Sequence, residues 1–359
     1  MLEWQLNIII YYEELNRMGY QLTSEGFDSA IKALSAQYRI WAPVNKKGAG
    51  RHEATDVVIY DEVHSGSEIE FNKKSDYAFK EAILPLSETL FYFTENQFKE
   101  ADFDPKPILI FARSCDIQAL KRLDQIYLEN GRDKDPFYDR KRKLLNFALI
   151  GCQKSFENCF CISMGSNKTS EGFLFACNVR EDGFEVDTRE SSVSALFKEN
   201  AAAEVSVSAD FVIENKVKVN LPEAIPLSVI KAPLWDEYNT RCIGCGRCNF
   251  VCPTCSCYTM QDIFYTDNGK VGERRRVAAS CMVDGFTNVA GGGQYRKTQG
   301  ERMRFKVLHK IGDHKARFGI NMCVGCGRCD DVCPEYISYS NIINKVSTAV
   351  EEAKAGENK

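Results

Sequence analysis

Apolar residues recur at helical spacing near the N-terminus: Leu15, Met18 and Leu22, then Phe27, Ile31 and Leu34. Positions three and four apart share one face of a helix, so residues 1 to about 40 read as two helices. After Tyr38 the pattern shortens to strand-like pieces, Arg39-Ile40-Trp41-Ala42 and Asp56-Val57-Val58-Ile59-Tyr60, with a Gly- and Lys-rich turn between them. Continuous apolar runs of strand length follow at Pro107–Ala112, Leu144–Gly151 and Phe173–Val179. Between the first two, Ile117–Asn130 reads as a helix ended by Gly131. Strand, helix, strand makes at least one α/β unit, and residues 1–230 are expected to form a mixed α/β domain. Prolines cluster from Pro222 to Pro233, and the domain boundary falls there.

A chain of 359 residues is long enough for two or three domains with proper cores. Its 44% hydrophobic and 27% charged content is ordinary for a globular protein, and a net charge of −4 argues against a general nucleic-acid binder. Sixteen cysteines would suggest disulfides in a small secreted protein, but the chain is too long for that class and shows no signal peptide. The apolar stretch Ile8–Tyr12 is far too short to span a bilayer. The thiols therefore read as ligands in a reducing, anaerobic cytoplasm.

Eight of those cysteines form two copies of one pattern. Cys242, Cys245, Cys248 and Cys252 precede Pro253; Cys323, Cys326, Cys329 and Cys333 precede Pro334. Each copy reads C-x2-C-x2-C-x3-C-P, the spacing by which ferredoxin-like proteins hold [4Fe–4S] clusters. In two-cluster arrangements the fourth cysteine ligates the other cluster. One expected ligand set is therefore Cys242, Cys245, Cys248 and Cys333, and the other Cys323, Cys326, Cys329 and Cys252. Structural zinc favours two well-separated C-x2-C pairs and is the weaker reading. The 70 residues between Cys252 and Cys323 are too many for a compact ferredoxin. Residues 231–345 are thus expected to form an α-helical ferredoxin-like domain, or an ordinary ferredoxin fold with an insertion, ahead of a charged tail at 346–359. After Val350 that tail reads as a fraying helix end. The fold class is a mixed α/β (or α+β) N-terminal domain followed by this helical domain.

Eight cysteines remain. Cys115 and Cys152 each follow an apolar strand, and Cys159 and Cys161 lie on the loop after Cys152. If the two strands are neighbours, these four thiols meet, and four is the number a third cubane needs. Burial as small apolar side chains is the alternative. Cys177, alone in an apolar strand, reads as core. Cys255, Cys257 and Cys281 read as packing or as support around a cluster rather than as ligands.

From Lys270 to Arg317 there are twelve Lys/Arg against four Asp/Glu, a local balance of +8. Such a segment suits either an acidic docking partner or the negative charge of nearby clusters; a solvated helix face is the plain reading. No phosphate-binding loop and no dinucleotide fingerprint are present, Ala290-Gly291-Gly292-Gly293 lacks the context of one, and His52, His64, His309 and His314 fall at no ligand spacing. Nothing marks a substrate-converting centre, so catalytic residues are expected on another polypeptide of a complex.

Taken together, Arg113-Ser114-Cys115-Asp116, Cys159-Phe160-Cys161-Ile162-Ser163-Met164-Gly165, Cys242 through Cys257, Ser280-Cys281-Met282 and Ala290-Gly291-Gly292 are similar to segments of a known family. The chain resembles the iron–sulfur electron-transfer component of anaerobic sulfite reductase and, more broadly, the electron-transfer beta subunits of cytoplasmic sulfhydrogenases. The resemblance spans roughly residues 20 to 345. It implies two [4Fe–4S] clusters, a flavin- and NAD(P)H-binding partner, and a sirohaem partner that reduces sulfite to sulfide. A nickel-iron sulfhydrogenase complex is the alternative within the family, and an iron–sulfur redox sensor or scaffold the alternative outside it. No membrane and no nucleic acid are expected as partners.

Overall fold

A computed structural model of the chain describes residues 18–51 and 54–357. In chain order the first elements are β1 (Met18–Leu22), α1 (Ser24–Gln37), β2 (Arg39–Lys46), β3 (Val57–Val63), β4 (Ser87–Phe93) and β5 (Phe98–Glu100). Next come β6 (Ile108–Ala112), α2 (Ser114–Leu128), α3 (Pro136–Arg142), β7 (Leu145–Ile150), β8 (Phe175–Arg180), β9 (Gly183–Thr188), α4 (Ser191–Glu199) and β10 (Ala203–Ser206). The C-terminal part contributes α5 (Glu237–Arg241), α6 (Arg247–Phe250), β11 (Tyr258–Phe264), β12 (Gly272–Ala278), α7 (Gln299–Leu308), α8 (His314–Phe318), α9 (Arg328–Val332) and α10 (Tyr339–Glu357).

Eight strands form one sheet in the order β10-β1-β9-β8-β7-β6-β2-β3. Its middle is parallel, β2 beside β6, β6 beside β7 and β7 beside β8, while both flanks are antiparallel. The apolar runs are continuous rather than alternating because both sheet faces are covered. Leu109 and Phe111 join the core beneath α1 and α4, with Phe27, Ile31, Leu34 and Phe197. Ile108, Ile110 and Ala112 point the other way, into the core under α2 and α3 with Leu120, Leu123 and Tyr138. The α/β unit read from the sequence is β6–α2–β7.

One expectation is corrected. Met18 and Leu22 belong to a strand, paired with β9 on one side and β10 on the other, rather than to a helix. A four-residue interval satisfies both the helical and the two-residue period, and here pairing on both sides selected the strand. Leu15 lies outside the described residues. The second expected helix is α1, where Thr23 caps the first turn by accepting from the Gly26 amide at 3.1 Å.

The segment between the two cysteine motifs is not wholly helical. Hairpin β11–β12 opens it, and β12 pairs with β4 from the N-terminal part, completing a four-stranded sheet β11-β12-β4-β5. The two parts of the chain thus share a sheet. A third core joins Phe160 and Met164 of the N-terminal part to Trp235, Tyr238, Met303, Val307 and the α10 residues Ile342, Ile343, Val346 and Val350. The helix that carries Val350 continues to Glu357, and it is the residues after Val350 that are mostly exposed. Among the described residues no helix is long and apolar enough to cross a membrane.

Candidate iron–sulfur sites

Both cysteine motifs fold alike. Each runs as a loop through two glycines of positive φ, Gly244 and Gly246 (68° and 74°) or Gly325 and Gly327 (64° and 72°), into a short helix, α6 or α9. A side chain at Gly325 would put its Cβ 2.6 Å from the Phe160 carbonyl oxygen, so only glycine combines that backbone with so close an approach. The two helices pack side by side, which carries the last cysteine of each motif toward the other.

Cys242, Cys245, Cys248 and Cys333 line one cavity, the set expected from the crossed-ligand rule. Its walls are apolar, with Met282, Met303, Ile337 and Ile342; Lys306 supplies a cation and Cys329 forms part of the rim. The second expected set, Cys252, Cys323, Cys326 and Cys329, lies deeper. Cys323 responds to the charges of Cys252 and Cys326, and Cys329 to those of Cys323 and Cys326, so the sulfurs are mutual neighbours. Burial pushes the Cys323 thiol up to about 12 and raises Cys326 and Cys329 as well. Such thiols keep their protons unless a metal replaces them. Among the described residues no three His, Cys, Asp or Glu side chains converge closely enough to bind a single metal ion. Thiols arranged around a cavity suit a cubane, whose corners each take one ligand, better than a tetrahedral zinc.

The third set also meets. Parallel pairing of β6 with β7 brings Ala112 opposite Leu149, and Cys115 and Cys152 follow at the same end of these strands. Cys115, Cys152, Cys159 and Cys161 line a single cavity, together with Lys74, Arg113, Arg328 and Cys326. Burial raises the Cys115 and Cys159 thiols and pushes Cys161 up to about 11. The middle set therefore touches both neighbours: Cys329 borders the first cavity and Cys326 the third. Cys177 is fully buried in β8 within the sheet core, as read from its strand.

Cys255, Cys257 and Cys281 sit beside these sites. Cys255 lies beside Cys252, and Cys257 beside Cys281. Asn249, buried in α6, donates to the Cys281 sulfur at 3.0 Å and to Ser280 Oγ at 3.0 Å.

The basic insert does not display its charge as one open face. Arg274 pairs with Asp262, Arg275 with Glu273, Arg276 with Asp135, and Arg302 with Asp284. Arg304 donates to the Ile230 carbonyl. Lys306 and Lys310 are buried against the cysteine sites, each too far from any described carboxylate to pair with it. Desolvation works against both ammonium groups, yet Cys248 and Cys329 hold Lys306 above its ordinary range, and Cys252 and Cys255 do so for Lys310. The sequence placed these two lysines in a basic run but could not separate them from its surface arginines.

Two further residues escaped the sequence reading. Lys80, from the N-terminal part, donates to the carbonyls of Asn249 and Cys255 at 3.1 and 3.0 Å, and burial pushes it below its ordinary range. Arg328, inside the second motif, donates to both carboxylate oxygens of Asp116 at 2.7 and 3.1 Å, with both side chains buried. A neighbour of the second motif's cysteines is thus locked to the residue after Cys115.

The 4Fe–4S dicluster domain family matches residues 241–337. Over 345 residues the chain is 30% identical to the sulfhydrogenase 2 subunit beta of Pyrococcus furiosus, an overlap that covers 91% of this chain and 97% of that protein. No solved structure matches the chain. With a mixed α/β region leading into a 4Fe–4S dicluster domain, and with likeness along nearly its whole length, the chain belongs to the sulfhydrogenase beta-subunit family of iron–sulfur electron-transfer proteins.

Proposed function

We propose that this chain is the electron relay of a cytoplasmic anaerobic sulfite reductase. A flavin- and NAD(P)H-binding partner supplies electrons, and a sirohaem partner uses them to reduce sulfite to sulfide. The eight motif cysteines hold two clusters in the crossed arrangement, and Cys115, Cys152, Cys159 and Cys161 hold a third. When bound, the clusters accept and release single electrons; the chain's own part is to place them in a row and keep water away. One observation carries this reading: the middle cysteine set contributes Cys329 to the border of the first cavity and Cys326 to that of the third, so the three sets adjoin one another in a row. A redox sensor needs only one cluster, and a row of three favours conduction.

The likeness to the Pyrococcus furiosus protein favours a second reading, in which the terminal partner is a nickel-iron hydrogenase. Anaerobic affinity purification of the chain with its native partners tests both. A sirohaem absorption spectrum without nickel supports sulfite reduction, whereas nickel without sirohaem transfers the relay to a hydrogenase. About twelve iron atoms per chain support three cubanes, and about eight would remove the third. Cys245→Ser and Cys326→Ser should each abolish NAD(P)H-dependent turnover of the assembled complex; undiminished turnover would sink the relay.

A further inference from the structure

The three cysteine sites differ in the cations around them. At the third cavity two of the three cations are compensated, Lys74 by Asp331 and Arg328 by Asp116, while Arg113 donates to the Phe71 and Lys73 carbonyls. The first cavity reaches the surface through the exposed Cys245, where solvent screens its charge. Among the described residues Lys306 is a buried ammonium without a carboxylate that lines the first cavity at its border with the middle set. Lys310 is one that faces the middle set, with Lys80 nearby beside Cys255. Lys310 donates to Thr254 Oγ1 at 2.6 Å, and that hydroxyl lies 3.4 Å from the Cys252 sulfur. Lys306, one turn earlier, stands over the Tyr339 ring at 5.1 Å from its centroid, beside the cavity that Cys248 and Cys329 border.

The helix is built to deliver both. Between α7 and α8 the backbone widens into a π-helical turn, His309–Asp313. Turns of this kind free backbone groups and recur at functional sites. Here the Lys310 carbonyl accepts from the amides of Met322 and Cys323, at 2.9 and 3.2 Å. One residue thereby holds the start of the second motif through its backbone and faces Cys252 through its side chain.

An unpaired buried ammonium is costly unless an anion enters beside it. A four-thiolate cubane is anionic and gains a further negative charge on reduction, so fixed positive charge favours its reduced form. Resting on the ligand sets proposed above, we infer that Lys310 tunes the cluster held by Cys252, Cys323, Cys326 and Cys329 to be the first of the row to take an electron. The middle of the relay is then its storage station, and Lys310 acts through charge on the cluster rather than by touching substrate.

The test is a mediator titration of the anaerobically purified full-length chain, followed by electron paramagnetic resonance, for the wild type, Lys310→Met and Lys310→Arg. Iron and acid-labile sulfide are counted first. At the potential where the first-reduced cluster of the wild type is half reduced, Lys310→Met should lower its reduced-to-oxidised ratio at least tenfold, about 59 mV for a one-electron couple. Lys310→Arg should behave as wild type. With full iron, an unmoved first reduction in Lys310→Met overturns the inference and leaves the relay standing; absence of any cubane signal from the wild type would instead overturn the relay. If Lys310→Met loses iron, Cys245→Ala decides: loss of the first cluster should leave the first-reduced signal in place, and its disappearance refutes the assignment.

Discussion

Asp116→Asn removes one charge from the Arg328–Asp116 pair and leaves its shape. The guanidinium is 2% and the carboxylate 0% exposed, and the shorter contact is 2.7 Å. Coulomb attraction at that distance is on the order of 6 kcal/mol for an effective dielectric near 20. Desolvation offsets much of it, and breaking such a pair from one side costs about 3–5 kcal/mol because the remaining charge stays buried. Ser75 still accepts from Arg328 through its carbonyl at 2.9 Å and its hydroxyl at 2.8 Å, so the asparagine variant belongs at the lower end of that range. A loss of about 3 kcal/mol multiplies the unfolded fraction by roughly two orders of magnitude. Anaerobic pulse proteolysis across a urea series measures that fraction. Asp116→Leu should lose more, and Asp116→Leu with Arg328→Met should recover most of it, since removing both charges leaves none unpaired. Stability of Asp116→Asn within about 1 kcal/mol of wild type, or a double variant no better than Asp116→Leu, would refute the electrostatic account.

The other expectations are narrower. Cys177→Ala should cost about 1–2 kcal/mol for a lost buried sulfur and leave the iron count unchanged, whereas Cys115→Ala should lower it by about four atoms; equal iron contents would show that the third cavity holds no cluster. Gly327→Ala forces a side chain onto a φ of 72° and into the Asn158 carbonyl, so it should lose more than about 1–3 kcal/mol and retain less iron on reconstitution; wild-type melting would contradict this. His314 is buried with Nδ1 donating to the Ile320 carbonyl at 2.9 Å, and burial holds its pKa below the ordinary value. The unfolded chain therefore binds a proton that the native protein resists, and stability falls as pH drops below about 6.5. His314→Phe should flatten that fall in melting temperature between pH 7 and 5; parallel profiles would exclude it.

Much of this protein was legible from spacing alone. Cluster motifs are local in sequence because three of the four proposed ligands come from one turn of chain, and the proposal of a crossed fourth ligand rests on the duplication. Strand neighbours were legible as well: an apolar run, a helix and a second apolar run predict β6 beside β7, and with it the meeting of Cys115 and Cys152. What escaped was everything that depends on distant segments. Met18–Leu22 became a strand only because β9 and β10 pair with it, and β4 joined a hairpin more than 150 residues later in the chain. Asp116 and Arg328 are ordinary surface residues by composition, yet folding buries them together 212 positions apart. The same holds for charge: sequence counts lysines, but only the packing of α7 and its π turn decided that Lys306 and Lys310 point inward while the nearby arginines pair at or near the surface. Periodicity and ligand spacing encode what the chain does within a turn or two. Burial, which sets the worth of every charge in this relay, exists only once distant segments exclude water together.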